Sequence, residues 1–303
     1  MCYIVYGGKS MDNFATLIID IKNSRKLTLE ERYSAQHKLY DIVLFINDIY
    51  KDVLISKVDF SAGDSIQGVF KNLRNAFNAY LFIRNLFYPF EIRCGLGYSS
   101  INDYLKSDYK NLSTNMLDGE AYHFAQYALM ECKKRNKQFL LLSNSAKDDI
   151  LVNEIMSTVQ IFLNEQTASQ ADICNMLNLI YPINYHNLNI DIDRYCKFFI
   201  HMLNNNVYRY KISTDENYLC RDVNQAIYLG TRRNQIDDQN MDYDNRVFYD
   251  EIFPTRFDFL LADFLGTSRQ NITKRKETGH TEEIRRLELS VMSYLENIYD
   301  KGI

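Results

Sequence analysis

Asp20 closes the apolar run FATLIIDI at residues 14–21, and Asp64 lies in FSAGDSIQGVF at residues 60–70. The first is an acid at the end of a buried strand, and the second is an acid in a hairpin turn. If their strands are neighbours in a sheet, the two carboxylates converge. They would then offer hard oxygen donors suited to Mg²⁺ or Mn²⁺, ions that share their coordination with substrate phosphates. The backbone carbonyl of Ile21 is a further oxygen at the same strand end. A pair of such metals can activate a ribose hydroxyl and steady a leaving pyrophosphate. Each residue also has a plainer use: Gly63-Asp64 is ordinary turn chemistry, and Asp20 can cap a loop.

The elements that must position these acids are legible from periodicity. Residues 14–21 read as a buried strand, and Thr28 to Tyr50 as a helix opened by a Thr28/Glu31 capping box. Val53–Phe60 and Ser65–Phe70 read as two strands around Ala62-Gly63-Asp64. Asn72–Phe87 reads as a helix, Glu91–Tyr98 as a strand, Glu120–Arg135 as a third helix and Gln138–Leu142 as a closing strand. The order is βαββαβ followed by αβ. The first six elements predict an α+β fold with a ferredoxin-like palm, an antiparallel sheet with helices on one face. That fold hosts many functions and decides none.

Further along, DFLLADFLGTSRQNITKRK at 258–276 has the spacing of a helix-turn-helix. Ala262 permits close helix crossing, Gly266 the turn, and Ile272 the packing of the second helix, with Ser268 as its N-cap. Arg269, Gln270, Asn271, Thr273, Lys274, Arg275 and Lys276 are the candidates to face duplex DNA, the amides and Arg toward base edges and the cluster at 274–276 toward phosphates. A plain αα-hairpin with a solvated charged face is the alternative. Leu287, Leu289, Val291, Met292 and Leu295 form an apolar helix after it. Ser169–Leu179 reads as a packing helix.

The stretches LIIDI, AGDSIQGVF, IRCGLGYSSI and LDGEAYHFAQYALMECKK, in that order, resemble the class III nucleotidyl cyclase catalytic domain. With the C-terminal motif, they resemble more closely the SatD family, a cyclase-like palm followed by a helix-turn-helix. The resemblance covers about residues 14–142 and the 258–276 motif. It implies that Asp20 and Asp64 are metal aspartates, that Arg93, Gly95 and Gly97 form the Arg-x-Gly strand, and that Gly119 and Ala125 open and pack the third helix. Three positions depart from the cyclase pattern. His123 stands where an Asn orients ribose, Tyr127 where an Arg stabilises the transition state, and Phe60 where a Lys reads adenine. A Tyr cannot neutralise phosphate charge as an Arg does. Phe60 can stack on a base or belong to the core. Lys22 and Arg25, in the loop after Asp20, are candidates to supply the missing charge. Lys133, Lys134, Arg135 and Lys137 are either a further phosphate contact or a solvated basic helix end.

Composition sets outer bounds. The 303 residues are 46% hydrophobic and carry a net charge of -4, so any DNA contact must come from a local basic patch. Cys2, Cys94, Cys132, Cys174, Cys196 and Cys220 have no zinc-ligand spacing and read as buried free thiols, which suits a reducing cytoplasm. No apolar run predicts a membrane span. Residues 1–10 read as an extra leader before Met11.

The expected organisation is a palm over 11–144, a helical connecting region over 145–250 and a helix-turn-helix region over 251–303, with an acidic linker at 237–251 where the last two meet. The expected ligands are a nucleoside triphosphate or signalling nucleotide with Mg²⁺ or Mn²⁺, and duplex DNA. A homodimer follows from the cyclase resemblance, because that family builds its site between two palms. The reading is a nucleotide-responsive regulator. The alternatives are an active metal-dependent cyclase or signalling-nucleotide synthase, and a degenerate palm that scaffolds an interaction.

Overall fold

The computed structural model describes residues 13–61, 63–100, 119–181, 197–198 and 256–300. The leader, the acidic linker and Cys2, Cys196 and Cys220 lie outside these residues. In order come β1 (Asn13–Ile21), α1 (Leu29–Ile49), β2 (Leu54–Phe60), β3 (Ser65–Phe70), α2 (Leu73–Phe87), β4 (Ile92–Ser100), α3 (Glu120–Arg135) and β5 (Phe139–Ser143). The helices α4 (Ala146–Glu165), α5 (Ala168–Ile180), α6 (Arg256–Phe264), α7 (Arg269–Thr278) and α8 (Thr281–Leu295) follow. The five strands form one sheet in the order β2-β3-β1-β4-β5, antiparallel except for the β4–β5 pair.

Local chemistry starts and stops these elements as expected. The Thr28 hydroxyl accepts from the Glu31 amide and the Glu31 carboxylate accepts from the Thr28 amide, so both halves of the capping box form. Asn72 caps α2 and Ser268 caps α7 through their side chains.

Alternation along β1 divides the molecule. Ala15, Leu17, Ile19 and Ile21 enter the main core with α1 and α2, whereas Ile18 packs with Ala125 and Leu129 of α3. The helices of the first six elements therefore share one face, and α3 covers the other. Parallel β4 and β5 need a crossover, and α3 provides it across the free face. The main core continues from the α1–α2 face into α5, α6 and α8, through Ile173, Leu177, Leu261, Ile284 and Val291. Cys94, Cys132 and Cys174 are buried free thiols. Among the described residues no helix is long and apolar enough to cross a membrane.

Candidate functional site

The register of β1 sets Asp20 beside the turn that carries Asp64. Asp20 lies opposite Ser65 of β3, the residue directly after Asp64. On its other side Asp20 lies opposite Arg93 of β4. The turn between β2 and β3 closes through the Ser61 amide donating to the Ser65 carbonyl at 2.9 Å, and Gly63 takes φ 71°, which favours glycine. The Lys22 amide donates to the Glu91 carbonyl on the β4 side. Backbone groups alternate sides along a strand, so the Ile21 carbonyl turns toward β3, past the last β1–β3 pair and toward the Asp64 turn.

Helix α3 can lie this close because β4 presents glycines to it. A Cβ on Gly95 would stand 2.1 Å from the Ala125 carbonyl oxygen, and one on Gly97 would stand 2.0 Å from that of Ala121. Between β1, β3 and α3 opens a cleft of about 610 Å³, lined by Ile18, Ser65, Gln67, His123, Tyr127 and Lys133 among others. His123 and Tyr127 are exposed on α3 and face this cleft. Asp20 is only 9% exposed, and its Oδ2 pairs with Lys133 Nζ at 3.0 Å. Lys133 is thus held by the acid, rather than ending a solvated helix. Arg93 is half-buried, and its Nε has no hydrogen-bond partner among the described residues. Burial pushes the neighbouring Cys132 thiol up to about 12, against the opposing pull of the Arg93 charge.

The remaining candidates lie elsewhere. Phe60 follows Val58 by two residues and packs on the main core, on the sheet face opposite the cleft. Stacking on a base held beside Asp20 is closed to it. Lys22 is ion-paired to Glu91. Arg25 is exposed in the one-turn helix Ser24–Lys26. Lys134 and Arg135 pair with Glu131 at 3.3 and 2.6 Å, whereas Lys137 donates to the Ser157 hydroxyl.

Asp20, Asp64 and the Ile21 carbonyl are the oxygen donors that could hold Mg²⁺ or Mn²⁺, and Asp20 is already paired with the Lys133 ammonium. Among the described residues no group of three or more Asp, Glu, His or Cys side chains is placed to hold a metal ion. The other ligands of an ion here would be phosphate oxygens and water.

At the far end of the chain, α6 and α7 meet at Gly266, with φ 58°, and bury Ala262 and Ile272. Lys276 departs from the expected exposed cluster. It is 6% exposed and pairs with Asp258 and Glu282, each at 3.1 Å. Thr273 donates to Asp258 as well. Asn271 donates to the Thr267 hydroxyl at 2.7 Å and accepts from Arg275 at 3.0 Å. The Arg269 guanidinium lies over the exposed Phe259 ring at 4.3 Å. Gln270 and Lys274 are exposed.

The fold and site define an α+β protein with a cleft between a five-stranded sheet and one helix, lined by His123, Tyr127 and Lys133. The chain matches the SatD family over residues 14–192 and belongs to that family. A solved structure of a bacterial light-regulated adenylyl cyclase is similar at 15% identity with a TM-score of 0.33, over 44% of this chain and 43% of the other, so the chain spans less than half of that protein. No curated protein matches the sequence.

Proposed function

We propose that the cleft between the sheet and α3 binds a nucleoside triphosphate or signalling nucleotide with Mg²⁺ or Mn²⁺, and that the protein is a nucleotide-responsive regulator acting on DNA through α6 and α7. The observation that carries the first half is the pairing of Asp20 with Ser65, beside Asp64, at the edge of an open cleft. The cleft volume is within the range of small-molecule sites. Asp20, Asp64 and the Ile21 carbonyl would hold the ion, which when bound neutralises phosphate charge. His123 and Tyr127 offer hydrogen bonds to ribose or phosphate from α3. For the second half, Gln270 and Lys274 with Arg269 form the exposed edge of α7. Lys276 serves the Asp258 pair instead.

The test is calorimetry with each of the four triphosphates, with Mg²⁺ and then with chelator. Binding that needs metal and is lost in Asp64→Asn supports the reading, whereas no binding of any triphosphate ends it. A titration with duplex DNA at rising salt tests the second half. Lys274→Ala is expected to lower the salt slope by about one and weaken binding across sequences.

A second reading has its own observation. His123 and Tyr127 line the cleft that Ser65, the strand partner of Asp20, also lines, so metal-dependent cyclisation or condensation of the triphosphate is the enzymatic alternative. A cyclic or linear product in the calorimetry mixture, absent with Asp20→Asn, would establish it. A palm that only scaffolds a partner predicts neither binding nor product.

A further inference from the structure

We infer that Lys133 and a divalent cation compete for the Asp20 carboxylate, so that metal loads productively only when a phosphate takes over the Lys133 ammonium. This rests on the reading of Asp20 as a metal ligand. Asp20 is fixed in β1 and nine-tenths buried, where an unpaired carboxylate is costly. Lys133 satisfies it at 3.0 Å. The two partners are unequal in freedom. Asp20 cannot move without its strand, but the Lys133 side chain is 49% exposed on a flexible four-carbon stem, so it can turn away once another cation satisfies Asp20.

A divalent ion and an ammonium on one carboxylate repel each other unless an anion lies between them. Arg93, opposite Asp20 in the register, adds positive charge to the same neighbourhood and disfavours a bare metal further. A triphosphate in the cleft resolves the conflict, because Lys133 lines that cleft and can turn from Asp20 to a phosphate oxygen. Of the cations considered for the missing charge, Lys22 is bound to Glu91 and Arg25 lies outside the cleft lining. Lys134 and Arg135 are bound to Glu131, and Lys137 donates to Ser157. Lys133 alone among these six couples its release to exposure of Asp20. It acts as a positioning residue that orders binding, with metal and nucleotide arriving as a pair.

The test is a titration of the full chain with Mn²⁺ alone, followed by the paramagnetic resonance signal of free Mn²⁺, and then with Mn²⁺ and ATP or GTP. Lys133→Gln keeps a polar hydrogen-bonding side chain and removes the charge. It is expected to bind Mn²⁺ alone at least tenfold more tightly than the wild type, and to bind the Mn²⁺–triphosphate several-fold more weakly. A merely structural lysine would shift both affinities in the same direction or neither. Lys133→Arg, which keeps the charge, is expected to leave Mn²⁺ binding weak, and Asp20→Asn/Lys133→Gln to lose the gain. Equal Mn²⁺ affinity in the wild type and Lys133→Gln would overturn the inference, as would a gain that survives Asp20→Asn. If no triphosphate binds the wild type with metal, the proposed function fails. The comparison with Mn²⁺ alone still decides the competition for Asp20.

Discussion

At the scale of single residues, Lys38 shows what burial does to a charge. Its ammonium donates to the Tyr88 carbonyl from α1, and burial lowers its pKa from 10.5 to about 7. The unfolded chain holds that proton up to the ordinary lysine value and so binds more protons than the folded one between these limits. Stability therefore rises with pH from about 7 toward 10, and Lys38→Met is expected to flatten that rise in urea midpoints measured across the range. Neither the shift nor the donor contact is visible in the sequence, where Lys38 is an ordinary polar position of an amphipathic helix. Asp20 is similar. Its place at a strand end is legible from FATLIIDI, but its partner Lys133 is 113 positions away, and only the fold brings them together. Phe60 was open between stacking and core in the sequence, and the strand alternation that buries Val58 leaves it partly buried against the core.

At the scale of elements, the close approach of α3 to the sheet depends on Gly95 and Gly97 facing Ala121 and Ala125. The added methyl of Gly97→Ala would meet backbone at 2.0 Å, so α3 must lift from the sheet. A loss of about 1–3 kcal/mol is expected from urea unfolding, with weaker nucleotide binding because the cleft wall moves. Gly63→Ala differs. Its Cβ meets nothing within 4 Å, but φ 71° is strained for alanine, so about 1 kcal/mol is lost with the α3 packing intact. The caps at Thr28 and Ser268 were legible because they act within a few positions, whereas Gly95 and Gly97 were marked only by the family resemblance, since the alanines they face are more than twenty positions away. The burial of Lys276 was not, since its partner Asp258 is reached only when α6 and α7 cross.

At the scale of the molecule, α8 is tied to the βαββαβ unit through buried charge. Arg84 of α2 pairs with Glu288 of α8 at 2.6 Å, and Glu288 is 1% exposed. Burial works against the Arg84 charge, but the Glu288 carboxylate more than restores it. Beside this pair the Arg285 guanidinium lies over the Tyr181 ring at 5.2 Å and donates to Asn178 of α5. Glu288→Ala would leave a buried cation without its acid and is expected to cost about 3–5 kcal/mol in denaturant unfolding. Arg84→Met/Glu288→Leu, which removes both charges, is expected to recover most of that loss. If the pair were solvated, both variants would sit near the wild type.

By itself the sequence determined the element order, the caps at Thr28 and Ser268, the hairpin at Gly63-Asp64 and the place of Asp20 at a strand end. These follow from periodicity and from turn and cap chemistry, which act over a few residues. The tertiary structure decided which charges meet: Asp20 with Lys133, Lys276 with Asp258, and Arg84 with Glu288. It also decided which face of the sheet each side chain takes and that α3 covers the second face. Those outcomes depend on strand register and helix crossing, where residues far apart in the chain come within hydrogen-bonding reach and burial makes each unpaired charge costly.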